Sequence, residues 1–90
     1  MGTPFRATVR YFRPEQGSGL TVVDVPAEVT AALGGLKQLR VNAVVNGQTF
    51  VSNTMPSGAG RLALSLNKAI LKATGLGVGD DAEVSIERMP

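Results

Sequence analysis

Residues 61–88 read RLALSLNKAILKATGLGVGDDAEVSIER. An alternating strand, a short helix, a Gly-Asp bend and a final strand follow one another here with no spare residues. Leu62, Leu64 and Leu66 recur at a period of two, the spacing that puts side chains on one face of a strand. Asn67 is placed to cap a helix whose buried stripe is Leu66, Ile70 and Ala73. Gly75 ends that helix in the left-handed conformation, with Leu76 packing back as the contact of the cap. Gly79-Asp80 turns the chain into a last strand, Ala82–Arg88, where Val84 and Ile86 alternate with Glu83, Ser85 and Glu87.

Residues 20–45, LTVVDVPAEVTAALGGLKQLRVNAVV, run through the same order. At an offset of 41, Val23, Val25, Val29, Ala32 and Gly34 meet Leu64, Leu66, Ile70, Ala73 and Gly75. Two extra residues in the Gly-Asp bend then bring Val41 onto Val84. The echo is one of pattern, and it predicts two strand–helix–strand halves about a pseudo-two-fold axis. In the first half, Pro26 suits a first helical position, Glu28 sits near the positive end of the helix dipole, and Gly34-Gly35 is the stop. Val29, Ala32 and Leu33 are the expected buried face.

The remaining segments complete a β protein. In residues 5–13, FRATVRYFR, the residues Phe5, Ala7, Val9 and Tyr11 point one way and Arg6, Thr8 and Arg10 the other. Residues 14–19 and 54–60 read as loops by composition. Asn46-Gly47 lies between two β-branched runs, the preferred chemistry of a two-residue type I′ hairpin. That turn pairs Val45 with Gln48, Ala43 with Phe50 and Val41 with Ser52, and it puts Val41, Ala43, Val45 and Phe50 on the core face.

Composition narrows function. The chain has 90 residues, 43% hydrophobic and 18% charged, which suits one folded domain over residues 1–90. With no cysteine and no histidine, thiolate metal sites and the commonest general base are excluded. Neither a cofactor nor a metal is expected, and the domain reads as non-enzymatic. No apolar run reaches the ~20 residues of a membrane span, and no signal-peptide h-region opens the chain. A cytoplasmic location is therefore expected.

The order Phe5, Val25-Pro26, Val41–Phe50 with Asn46-Gly47, Gly60, Leu66-Asn67-Lys68-Ala69, Gly75 and Gly79-Asp80 resembles the family called domain of unknown function nineteen-oh-five. The resemblance spans nearly the whole chain. It implies a double-split β-barrel similar to AbrB-type regulators and MazE-type antitoxins, here six to seven strands with two short α-helices and the internal repeat. It also implies an aromatic near Leu20 and a histidine near Arg61, where this chain departs. No established activity comes with the family.

The candidate ligand site is the stretch Ser57, Gly58, Ala59, Gly60 and Arg61 together with Asn67 and Lys68. Glycines let backbone N–H groups approach a ligand, and Lys68 stands in the first helical turn, where the dipole repels a cation. A residue that breaks a local preference can mark function. A small anionic ligand or a protein is the expected partner; a solvated surface lysine is the bland reading of Lys68. The alternative is a nucleic-acid-binding regulator using Arg6, Arg10 and Arg13 against phosphates. A chain that carries both halves is expected to close as a monomer, whereas regulators of that kind build the barrel as a dimer. Asp80-Asp81 with Glu83 matches no cation loop and reads as turn chemistry.

Overall fold

The computed structural model describes residues 4–17, 19–58 and 60–89. Seven strands form one antiparallel sheet: β1 (Phe5–Thr8), β2 (Arg10–Tyr11), β3 (Thr21–Asp24), β4 (Arg40–Val45), β5 (Gln48–Gly58), β6 (Arg61–Ser65) and β7 (Asp81–Arg88). Helix α1 (Ala27–Ala32) follows β3, and α2 (Lys68–Thr74) follows β6. The strand order is β1-β7-β4-β5-β6-β3-β2. Its two outermost strands are consecutive pieces of chain joined at Val9, so the strip curls round on itself and nearly closes into a barrel. The core fills its inside: Val9, Val23, Val25, Val41, Val45, Leu62, Leu64, Leu66 and Val84 are all buried.

The two-fold echo is written into the registers. Val23 pairs with Leu64, and Ala43 pairs with Ile86. These are residues that the repeat equates, so a two-fold axis passes through the middle of both ladders. The halves also divide their pairing alike. One stretch pairs with β7 as β1 and then with β3 as β2, while β5 pairs first with β4 and then with β6.

The hairpin at Asn46-Gly47 forms as its chemistry dictates. Asn46 and Gly47 have φ of 47° and 84°, the two positive values of a type I′ turn. Val45 pairs with Gln48, Ala43 with Phe50 and Val41 with Ser52. Val41, Ala43 and Val45 are fully buried, and Phe50 is half-buried against them. Asn67 caps α2, its Oδ1 accepting from the Ile70 N–H at 2.9 Å. Gly75 closes that helix at φ 72°.

Several expectations are corrected. Residues 5–13 are not one strand: the chain bends at Val9, whose N–H donates to the Asp80 carbonyl at 2.8 Å while its carbonyl accepts from Gly79. The sequence alternation runs on through the bend to Tyr11, although Arg10 and Tyr11 are both half-buried, so the pattern could not show it. Residues 54–58 are strand, not loop, because β5 runs on to Gly58 and the β5–β6 connection is tight. Pro56 is tolerated there because its nitrogen faces away from β6, on the side where the β4 ladder has ended. Residues Ser18 and Ala59 of the expected loops lie outside the described residues. Pro26 is the N-cap of α1 rather than its first residue. Ala32 and Ala73 are exposed; each helix is too short for a full stripe, and Thr30 with Leu33, or Ile70 with Leu71, faces inward instead.

Four buried hydroxyls stand where ladders run out: Thr21, Thr30, Ser52 and Thr54. Thr21 donates to the Leu66 carbonyl and Ser52 to the Ser65 carbonyl. Thr54 accepts from Leu39 N–H and donates to the Lys37 carbonyl, both at 3.1 Å. Thr30 accepts from Leu62 N–H at 3.2 Å. Each satisfies a backbone group left over by a strand that has turned away.

Candidate functional site: an arginine-lined cleft

The bend at Val9 has a consequence beside it. Continuing the β2–β3 register from Arg10 opposite Val22 would set Thr8 opposite Asp24. Instead β1 swings across to β7, and a gap opens between β1 and the segment leading from β3 into α1. The gap is a cleft of about 680 Å³, with Arg6, Ala7, Thr8 and Arg10 on one wall, residues 24–28 on the other, and Arg61 at its side.

Two arginines of the first strands and a third from β6 therefore meet in one place, and they are not equivalent. Arg10 is committed: its Nε and Nη2 reach both Asp24 oxygens at 2.9 and 2.8 Å, and its Nη1 donates to the Tyr11 carbonyl at 3.0 Å. The hydrogen bonds from Arg10 hold the Asp24 carboxyl below the ordinary carboxylate range. Partial burial works against this, and the charges of Arg10 and Arg61 assist it. Arg10 is raised in turn, chiefly by the same hydrogen bonds. Arg6 and Arg61 are exposed, and their guanidiniums make no hydrogen bond or ion pair among the described residues. Both guanidiniums are left to solvent, with Glu28 the remaining acid on the lining.

The other sequence candidates fall elsewhere. Ser57 donates to the Arg61 carbonyl at 3.2 Å and so serves the hairpin. Gly58 and Gly60, at φ 89° and 72°, turn the chain there and do not line the cleft. Asn67 and Lys68 lie past the far end of β6, which carries the chain roughly 13 Å from Arg61 to Ser65. The proposed loop-plus-helix cluster is thus split: Arg61 stays with Arg6 and Arg10, and Lys68 is an exposed residue apart from them. Arg13 is separate too. Its Cζ lies 5.9 Å from the Phe12 ring centre, beside a smaller recess shared with Gln16 and Leu20. A row of three phosphate-facing arginines on the first strand is not what the fold presents.

The acidic turn behaves as turn chemistry. Asp80 Oδ2 accepts from Gly77 N–H at 2.9 Å, and Asp81 Oδ1 accepts from the Thr8 hydroxyl at 2.7 Å. Among the described residues no three metal-ligating side chains gather, and no helix is long and apolar enough to cross a membrane. What sequence reasoning missed is the convergence of Arg61 with Arg6 and Arg10. No local signal carries it, since it depends on how the barrel closes.

These features define a small antiparallel β-barrel domain with an arginine-lined opening in its wall. The model of the family described as a domain of unknown function, DUF1905, matches residues 5–86, and the chain belongs to that family. The comparison with curated proteins returns no match.

Proposed function

We propose that this domain is a non-catalytic binding module that accepts an anionic group between Arg6 and Arg61. The observation that carries the reading is that these two guanidiniums line one cleft and neither forms an ion pair among the described residues, although Glu83 stands opposite Arg6 on β7 and Asp24 feels the charge of Arg61. Guanidinium is the side chain best matched to a carboxylate or phosphate, through paired N–H donors. The Arg10–Asp24 pair is neutral overall, and its hydrogen bonds commit Asp24 chiefly to Arg10. With no histidine in the chain and the Ser57 hydroxyl spent on a backbone carbonyl, binding without turnover fits better than catalysis. Both halves of the barrel lie in one chain, which favours a monomer.

Nucleic acid is the weaker reading. Of the three arginines proposed for it, Arg10 is bound to Asp24 and Arg13 faces another recess, so a phosphate track is interrupted.

The test is an anion titration with inorganic phosphate and citrate, followed by thermal unfolding. A ligand at tenfold excess over its Kd stabilises the folded state by about 1.4 kcal/mol, an upward shift of ~5–10 °C for a domain of this size. The wild type and Lys68→Gln are expected to respond alike, and the Arg6→Gln/Arg61→Gln double variant not at all. An unresponsive wild type, or a double variant that responds in full, refutes the site.

A further inference from the structure

The cleft has a second property, which lies in its backbone. Hydrogen bonding alternates along an antiparallel ladder. Val9 bonds to Asp80, so in the β1–β7 register Ala7 and Phe5 are the other residues whose N–H and C=O face β7. Those of Arg6 and Thr8 point the opposite way, to the open edge. On the facing wall, Val25 N–H donates to the Leu62 carbonyl, so Asp24 turns its own N–H and C=O away from β6 and toward the cleft. Among the described residues none of these groups has a backbone partner. The opening in the barrel is therefore a strand edge with donors and acceptors at the repeat of a strand, roughly 7 Å between alternate residues.

We infer that the occupant of this cleft is an extended peptide carrying a carboxylate, which adds to β1 as an extra strand. The inference rests on the anion reading above and names its ligand class. Peptide carbonyls accept from the Arg6 and Thr8 N–H groups, and peptide N–H groups donate to their carbonyls, the geometry of strand addition. The peptide residue beside Arg6 shares its face of the sheet, where an acidic side chain meets the guanidinium on the side away from Glu83, its cross-strand neighbour on β7. Arg61 closes on the same carboxylate from the β5–β6 side. Glu28 on the α1 wall opposes a second acid there, which limits the match to one. A nucleic acid lacks the alternating donors and acceptors that this edge presents. A second copy of the chain paired through β1 sets two Arg6 guanidiniums on one face, a repulsive arrangement of the kind that guards sheet edges.

The experiment uses ¹⁵N-labelled protein and three probes: inorganic phosphate, a pool of end-blocked hexapeptides with Glu fixed at the third position, and the same pool N-methylated at every second residue in both phases. The expected result is that the Glu pool shifts the Arg6, Thr8 and Asp24 amide signals, while N-methylation weakens binding about tenfold or more. Phosphate is expected to move the Arg6 and Arg61 guanidinium signals only. Arg61→Gln weakens the Glu pool about two- to fivefold, as for an exposed ion pair. If phosphate moves the guanidiniums but neither pool moves the edge amides, or both pools bind equally, the peptide inference fails and the anion site stands. If no probe moves either set, both fail. A concentration-dependent dimer by light scattering that shields the Arg6 and Thr8 amides assigns the edge to a second copy and overturns the peptide.

Discussion

Thr30 shows how a single hydroxyl holds a helix to this barrel. β3 and β6 pair in the register Val23 opposite Leu64, and Val25 N–H still reaches the Leu62 carbonyl at 2.8 Å. The return bond, from Leu62 N–H to the Val25 carbonyl, is not made, because the chain is already turning into α1. Thr30, 3% exposed, puts its Oγ1 in between, accepting from Leu62 N–H at 3.2 Å with the Val25 carbonyl 3.5 Å away. Thr30→Val keeps the shape and a similar helix propensity but strands a donor on Leu62, which is fully buried. A buried N–H left without an acceptor costs about 1–3 kcal/mol. Thr30→Ser keeps the hydroxyl and loses one methyl, about 0.8 kcal/mol. Valine is thus expected to be the worse substitution although it is the more apolar. In thermal unfolding a 2 kcal/mol loss lowers Tm by ~8–16 °C for a domain of this length. Urea unfolding should show the same order at unchanged m, and the Leu62 amide should exchange faster in the valine variant. A valine variant as stable as wild type, or more stable than the serine variant, refutes the reasoning.

Asp24 titrates lower in the folded state than in the unfolded chain, because Arg10 bonds the carboxylate. Its contribution is therefore present above an unfolded value of about 4 and fades as pH falls through the lower, folded one. With side chains 32% and 43% exposed, the Arg10–Asp24 pair is worth at most about 1 kcal/mol. Unfolding free energies of wild type and Asp24→Asn from urea titrations should differ by at most that amount near neutrality and converge below pH 4. Asn46 both occupies a positive-φ turn position and accepts from Glu83 N–H at 2.9 Å. Asn46→Ala should cost about 1–3 kcal/mol, read as a drop in urea midpoint, and Asn46→Gly less.

The distribution of free arginines explains why the site was harder to read than the fold. Lys68 breaks a local rule, and local rules are what a sequence displays. Arg61 breaks none. It stands at the start of an alternating strand, and only the return of β6 beside β3 sets it across from Arg6, 55 positions away in the chain. The stretch 54–58 misled for a related reason. Thr, Pro, Ser and Gly read as loop, yet a proline whose nitrogen faces no ladder costs a strand little.

What the sequence determined by itself is what short-range physics controls. Asn46-Gly47 sets its hairpin because two adjacent residues must take positive φ, and that turn fixes the Val41–Ser52 register. Asn67 and Gly75 bound α2 through groups a few residues away. The Leu62–Leu66 and Val84–Ile86 alternations chose their buried faces, and the echo at an offset of 41 foretold that Val23 and Leu64 stand in equivalent places. Only the tertiary structure decided that those two residues pair with each other. It also decided that the first strand bends at Val9 to serve two neighbours, and that the resulting gap gathers Arg6, Arg10 and Arg61. The reason is physical. Alternation specifies which way a side chain points and says nothing of which strand lies alongside, and the cleft exists only where two strands have parted.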